Sequence, residues 1–385
     1  MCHVCLDGRS TLGEEAYRKL RLNAPVGGWF PALEGLIWDI TRSNLPHLGL
    51  FSSPNLKSIS ISMAWGDSEV PQSSLQVIAS TISSLPTSAL QLLSVKIHDH
   101  RISRTYFKDS LSSVVLRCGP SLTEFSSWTP LSDPATNHLI HLPYLCTWYT
   151  LYPPPDYSAS SPPLFFPPLI KLTIGYGASR GWLSLFKRLG ARVSSAQSAT
   201  PLARVRESLR TLDIAAFPDP IIDSSFTSVI QTFRNLAYLI VAVVCCNGQC
   251  VFNLNNDDVA ELAMALPRLE FLLLGYPCDK NTCATTVACL LPLSVRCARL
   301  QSLWIHFNTM NIVDDIKTIS EDPRFQRLRS LRKCALSCLN VHKLPLTLDG
   351  SELETLARGM TDIFPNLECC DGWDEFNSKL AEVQG

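Results

Sequence analysis

Charge is scarce in this 385-residue sequence and favours neither sign: 17% of residues are charged, and 33 basic residues stand against 34 acidic ones for a formal net charge of -1. With the two signs interspersed along the chain, nothing creates a field that would draw in a phosphate backbone or anionic lipid. Nucleic acid and membrane surfaces are therefore not expected partners. Long apolar runs are also missing. The longest, Leu236 to Cys246, is 11 residues, against the roughly 18 to 20 that span a bilayer. The N-terminus, Met1-Cys2-His3-Val4-Cys5, has no basic stretch leading into an apolar core, and acidic residues arrive at Asp7, Glu14 and Glu15. A secretory signal is not expected, and the cytoplasm or nucleus is the expected compartment. Nor is there a Gly-rich loop ending in Lys and Ser or Thr that could cradle a nucleotide phosphate.

Cysteine, in contrast, is plentiful at 15 residues. An odd number scattered through a long chain does not make a disulfide framework, so free buried thiols are expected. Cys2-x-x-Cys5 with His3 has the spacing of half a tetrahedral zinc site. The other groups (Cys245, Cys246 and Cys250; Cys278 and Cys283; Cys334 and Cys338; Cys369 and Cys370) follow unrelated spacings. No metal site and no cofactor are expected.

Leucine is the informative excess, at 57 residues. Segments of the form Leu-x-x-Leu-x-Leu recur in order along the chain. They begin at Leu33, Leu56, Leu90, a degenerate Leu122, Leu169, Leu209, Leu236, Leu269 and Leu300, with a loosened pattern from Leu328 to Leu336 and a last segment at Leu367. Ten intervals separate Leu33 from Leu367, a mean of about 33 residues, longer than the 20 to 29 of regular leucine-rich repeats. The second and third apolar positions alternate along a short strand and point into a core, while the first packs the turn into it. One such unit cannot close a core, but stacked neighbours can.

The connectors carry apolar residues at helical spacing. Helices are expected at Asn256 to Leu266, Ser351 to Phe364, Ser73 to Leu85, Tyr106 to Cys118, Trp182 to Leu189, Ser224 to Phe233 and Thr286 to Cys297. The expected fold is an α/β leucine-rich-repeat solenoid of about eleven irregular repeats, with a curved parallel sheet on its concave side and helices on its convex side. Residues 1-29 form an N-terminal cap or remnant and 30-385 the repeat domain. The prolines of 153-168 exclude helix and central strand there. A surface loop is the preferred reading, ahead of a ligand for an SH3 or WW module.

Chemistry-bearing motifs are few. Gly177-Ala178-Ser179-Arg180-Gly181 matches Gly-x-Ser-x-Gly between an expected strand and an expected helix, the setting of a nucleophile elbow. No acid and base pair stands out elsewhere, so a small-residue connector is preferred to a serine hydrolase using Ser179. The basic group Arg327, Arg329, Arg332 and Lys333 reads as the polar side of a repeat. What remains is a surface. Outward positions of the strands include Asp39, Lys96, His98, Lys171, Asp213, Tyr238, Phe271, Trp304 and His306, and exposed rings among mixed charges suit protein recognition on the concave face.

Several phrases carry a family resemblance: Phe30-Pro31-Ala32-Leu33, Asn44-Leu45-Pro46-His47-Leu48, Pro54-Asn55-Leu56-Lys57-Ser58-Ile59-Ser60-Ile61, Leu262-Ala263-Met264-Ala265-Leu266-Pro267-Arg268-Leu269-Glu270, Ile305-His306-Phe307-Asn308-Thr309, Asn311-Ile312-Val313-Asp314-Asp315 and Asp362-Ile363-Phe364-Pro365-Asn366-Leu367-Glu368. From about residue 30 onward the chain resembles F-box leucine-rich-repeat proteins, specifically the F-box-like group of mushroom-forming fungi. The resemblance implies a non-catalytic module whose repeats choose a protein substrate, while an N-terminal F-box docks on a Skp-type adaptor of a cullin ubiquitin ligase. Met1 to Trp29 shows no Leu-Pro start followed by short helices, so the adaptor-binding half is expected to be missing. An F-box-independent repeat scaffold or receptor is the alternative.

Overall fold

The computed structural model describes residues 2–6, 14–23, 25, 29–40, 47, 50–51, 53–63, 72–97, 103–151, 169–175, 207–216, 222–243, 252–275, 283–323, 334–340, 348–371 and 373–384. These divide into two compact units, one holding the described residues up to Gly175 and the other those from Glu207 onward. In the first, strands β1 (Cys2–Leu6), β2 (Leu33–Asp39), β3 (Ser58–Met63), β4 (Leu92–Ile97), β5 (Glu124–Ser127), β6 (Thr147–Thr150) and β7 (Lys171–Ile174) pair in parallel and in chain order. In the second, β8 (Thr211–Ala216), β9 (Tyr238–Val243), β10 (Phe271–Leu274), β11 (Ser302–Ile305), β12 (Cys338–Asn340) and β13 (Cys369–Asp371) do the same. Sequential parallel strands with helices alongside are the α/β repeat architecture expected from the leucine spacing.

The repeat can be followed residue by residue. In Leu269-Glu270-Phe271-Leu272-Leu273-Leu274, all of Leu269, Leu272 and Leu274 are fully buried, and Phe271 and Leu273 between them are half-buried. Burying one such leucine stabilises by about 1.5–3 kcal/mol. The strand entry is fixed by hydrogen bonds: the N–H groups of Glu270 and Phe271 both donate to the Ala237 carbonyl, at 2.8 and 3.0 Å. The same two-to-one arrangement recurs from Gln301 and Ser302 to Glu270, and in the first unit from Thr123 and Glu124 to Gln91. It uses both lone pairs of one carbonyl per repeat and locks the register of each new strand.

The helices of the first unit are α1 (Glu14–Leu22), α2 (Gln72–Ser83), α3 (Ser103–Arg117) and α4 (Asp133–Ile140). Those of the second are α5 (Ser224–Ile230), α6 (Asn256–Ala265), α7 (Leu290–Arg296), preceded by a 3-10 turn Val287–Cys289, α8 (Ile312–Glu321), α9 (Gly350–Ile363) and α10 (Asp374–Gln384). Chain-adjacent helices pack on one another, α2 on α3 and α9 on α8 and α10. Start signals are local. Asn255 caps α6 in a reciprocal box with Asp258, each side chain accepting from the other's backbone N–H at 3.0 Å. Asp349 and Glu352 repeat that device at α9.

Within residues 1-29, expected as a cap or remnant, β1 pairs with β2. Two departures from the sequence reading have physical causes. β6 carries the repeat as Leu145, Trp148 and Thr150, all buried, so a search for branched aliphatic residues passes over it. The loosened segment near Leu328 resolves into Leu336 and Leu339, both fully buried, flanking Cys338 at the start of β12. The expected helix at Trp182 to Leu189, the proline stretch 153-168, Ser179, and the basic group at Arg327 to Lys333 lie outside the described residues.

Candidate functional site

Strand alternation gives each unit a buried row set against the helices and an open row set beside it. In the first unit the outward register positions are Gly35, Ser58, Leu92, Glu124, Thr147 and Lys171 in one row, then Ile37, Ser60, Ser94, Ser126, Tyr149 and Thr173, then Asp39, Ser62 and Lys96, and of these Gly35, Ser94 and Thr173 are buried. This face is rich in hydroxyls. Asp39 accepts a hydrogen bond from the Ser62 hydroxyl, and Lys96, two strands from Asp39, is exposed. Lys171 is exposed in a different row, two strands from Glu124. His98 lies outside the described residues.

The second unit presents a different face. Thr211, Tyr238, Phe271, Ser302, Cys338 and Cys369 share one row, and Asp213, Ile240, Leu273, Trp304, Asn340 and Asp371 share the next. Three of the expected binding residues meet here as a ladder. Tyr238, 42% exposed, stacks on Phe271 with ring centroids 6.4 Å apart and planes inclined by 21°. Phe271 in turn lies 6.4 Å from the half-buried Trp304 at 43°. Neighbouring strands stand about 4.8 Å apart, which is close enough for rings on successive rungs to touch along the row and across its diagonal. Asp213 is half-buried in the row that holds Trp304.

No family model matches the chain. No curated protein matches it either. Among solved structures it is similar to the crystal structure of the Rad7 and Elc1 complex in yeast, at 15% identity and a TM-score of 0.37, over 93% of this chain and 72% of that one.

His306 corrects the sequence reading. It falls on the outward parity of β11, yet it is 4% exposed. The strand ends at Ile305, and beyond it alternation no longer decides which way a side chain points. The chain turns inward there: Cys283 donates its thiol to the His306 carbonyl at 3.5 Å, Thr286 bridges to Asn308 and Phe307 is buried. Gly275, at φ +90°, approaches so closely that a Cβ on it would lie 3.1 Å from the His306 Cβ.

The row holding Phe271 also contains a feature absent from the sequence reading. Cys338 and Cys369 sit at the same register position of β12 and β13, although their neighbours along the chain, Cys334 and Cys370, are buried. Burial pushes the Cys338 thiol up to about 11, reinforced by its hydrogen bond to Cys369 and by the charges of Cys369 and Asp371. Beside them, Asn340 Nδ2 donates to Asp371 Oδ2 at 2.7 Å. The alternation rule applied to both strands at once would have paired these cysteines. Among the described residues no group of three or more His, Cys, Asp or Glu side chains could hold a metal ion, and no helix is long and apolar enough to cross a membrane.

Proposed function

We propose that this chain is a non-catalytic protein-recognition module that uses the open face of β8–β13, in the manner of the substrate-binding half of an F-box subunit of a cullin-type ubiquitin ligase. The observation that carries this reading is the Tyr238, Phe271 and Trp304 ladder. Three rings on adjacent strands offer a wide, rigid contact area at little cost in side-chain entropy, the property that makes aromatic residues binding hot spots. Short, register-locked strands hold the rings in place before any partner arrives, which lowers the ordering cost of association.

Purification of the tagged chain from its native cells tests the reading. Recovery of a Skp-type adaptor and a cullin, with a further protein lost from a Phe271→Ala, Trp304→Ala variant, supports the ligase assignment. Partners that depend on the ladder but come without the adaptor make the chain an F-box-independent scaffold or receptor. Partners indifferent to the ladder remove the face from the account. The non-catalytic part has its own check: a fluorophosphonate probe should leave Ser179 unlabelled, and labelling that disappears in Ser179→Ala would make the protein a serine hydrolase.

A further inference from the structure

Resting on the recognition reading, we infer that the open face of β8–β13 takes a basic peptide segment, one that presents arginine side chains across the strands. The open positions are Thr211, Asp213 and Ala215 on β8, Tyr238, Ile240 and Ala242 on β9, and Phe271 and Leu273 on β10. They continue with Ser302 and Trp304 on β11, Cys338 on β12, where Asn340 at the next outward position is buried, and Cys369 and Asp371 on β13. Among these described positions the two carboxylates, Asp213 and Asp371, are the ends of a single row, Asp371 also accepting from Asn340 Nδ2, and no position holds Lys, Arg or His. Between the carboxylates lies the aromatic ladder, and Tyr238 is the ring most open to solvent.

Two physical effects select the same partner. The faces of Tyr, Phe and Trp rings carry negative quadrupole potential and attract cations, guanidinium above all because it also stacks flat. A face whose described positions bear carboxylates and no base repels an acidic segment and attracts a basic one. Spacing adds a length. Asp213 and Asp371 are five strand steps apart in one row, about 24 Å at the usual strand separation, which an extended chain covers in about seven residues. A segment with arginines about seven residues apart would reach both carboxylates while the residues between them lie over the rings. The open face of β1–β7, with Lys96 and Lys171 among its positions, has no such uniform sign.

The test uses the full chain and fluorescein-labelled nona-arginine and nona-glutamate peptides, followed by anisotropy at low and moderate salt. Nona-arginine should bind at least about tenfold more tightly than nona-glutamate, and Phe271→Ala with Trp304→Ala should weaken it about tenfold. Asp213→Lys with Asp371→Lys leaves the rings in place, so it gives an answer even where the ring variant is unstable. It should weaken nona-arginine by more than tenfold and flatten its salt dependence. Equal affinity for both peptides, or nona-arginine binding unchanged in the charge variant, overturns the inference. The recognition reading can survive that outcome: if a cellular partner is still lost from the ring variant, only the basic class falls, whereas a partner retained there removes both.

Discussion

Tyr238 and Phe271 occupy one register position on neighbouring strands, and their rings stack with centroids 6.4 Å apart. The backbone on either side of them is tied down, since both residues donate their N–H into the preceding strand's entry carbonyl, at 2.9 Å to Arg210 and 3.0 Å to Ala237. The stacking therefore follows from the repeat itself: a two-into-one hydrogen bond sets the register, alternation aims the side chains, and the strand spacing brings successive rings into contact.

Adjacent residues of β11 should respond to truncation in opposite ways. Leu303 is fully buried and Trp304 half-buried on the other face. Leu303→Ala leaves a cavity and should cost about 2–5 kcal/mol, whereas Trp304→Ala should stay within about 1 kcal/mol. Urea denaturation of the two variants measures this directly. Equal losses would mean that the open face is covered.

Gly359 lies where α9 packs on α8, and a Cβ there would collide with the Ile316 side chain. Alanine gains up to about 1 kcal/mol of helix propensity over glycine, but overpacking against a β-branched side chain costs about 1–3 kcal/mol. Gly359→Ala should therefore lower the melting temperature, and Ile316→Ala in the same chain should relieve the clash itself. A more stable Gly359→Ala protein would show that the helices are free to separate.

Capping makes a smaller, local prediction. Asn255→Ala removes the side-chain acceptor for the Asp258 N–H and breaks the reciprocal box at α6. A loss of about 1 kcal/mol is expected, recovered largely by Asn255→Ser or Asn255→Asp, and unchanged stability in the alanine variant would contradict the assigned cap.

The buried thiols set an alkaline limit. Burial pushes Cys118 and Cys297 up to about 12 and Cys334 up to about 11, from the ordinary 9.0. A raised acid pKa in the folded chain means that the unfolded chain ionises first. Their contribution is whole below about pH 9 and is lost as pH climbs toward 12. The denaturation midpoint should fall between pH 8 and pH 10.5, with a shallower fall in Cys297→Ala, and iodoacetamide should modify the half-exposed Cys146 well before these three. An identical fall in Cys297→Ala would place the alkaline sensitivity elsewhere.

Most of the architecture was legible because leucine at three- and two-residue spacing reports strand entry and strand interior together. Legibility failed where another side chain took the leucine's place, as Trp148 and Thr150 do in β6, or where the strand was short. His306 was misplaced because alternation was carried one residue past the end of β11, into a turn that faces the core. Tyr238, Phe271 and Trp304 were readable singly from their parity, but their contact was not, since it depends on the register between strands. The cysteines show the same limit: grouping them along the chain joined Cys334 to Cys338 and Cys369 to Cys370, while the sheet brings Cys338 beside Cys369.

The most direct test of the recognition face is the affinity of the tightest protein co-purifying with the chain, measured by titration calorimetry against the wild type and the Phe271→Ala, Trp304→Ala variant. The account predicts a loss of at least about tenfold, or about 1.4 kcal/mol, with the melting temperature nearly unchanged. Equal affinity for the two proteins would contradict it.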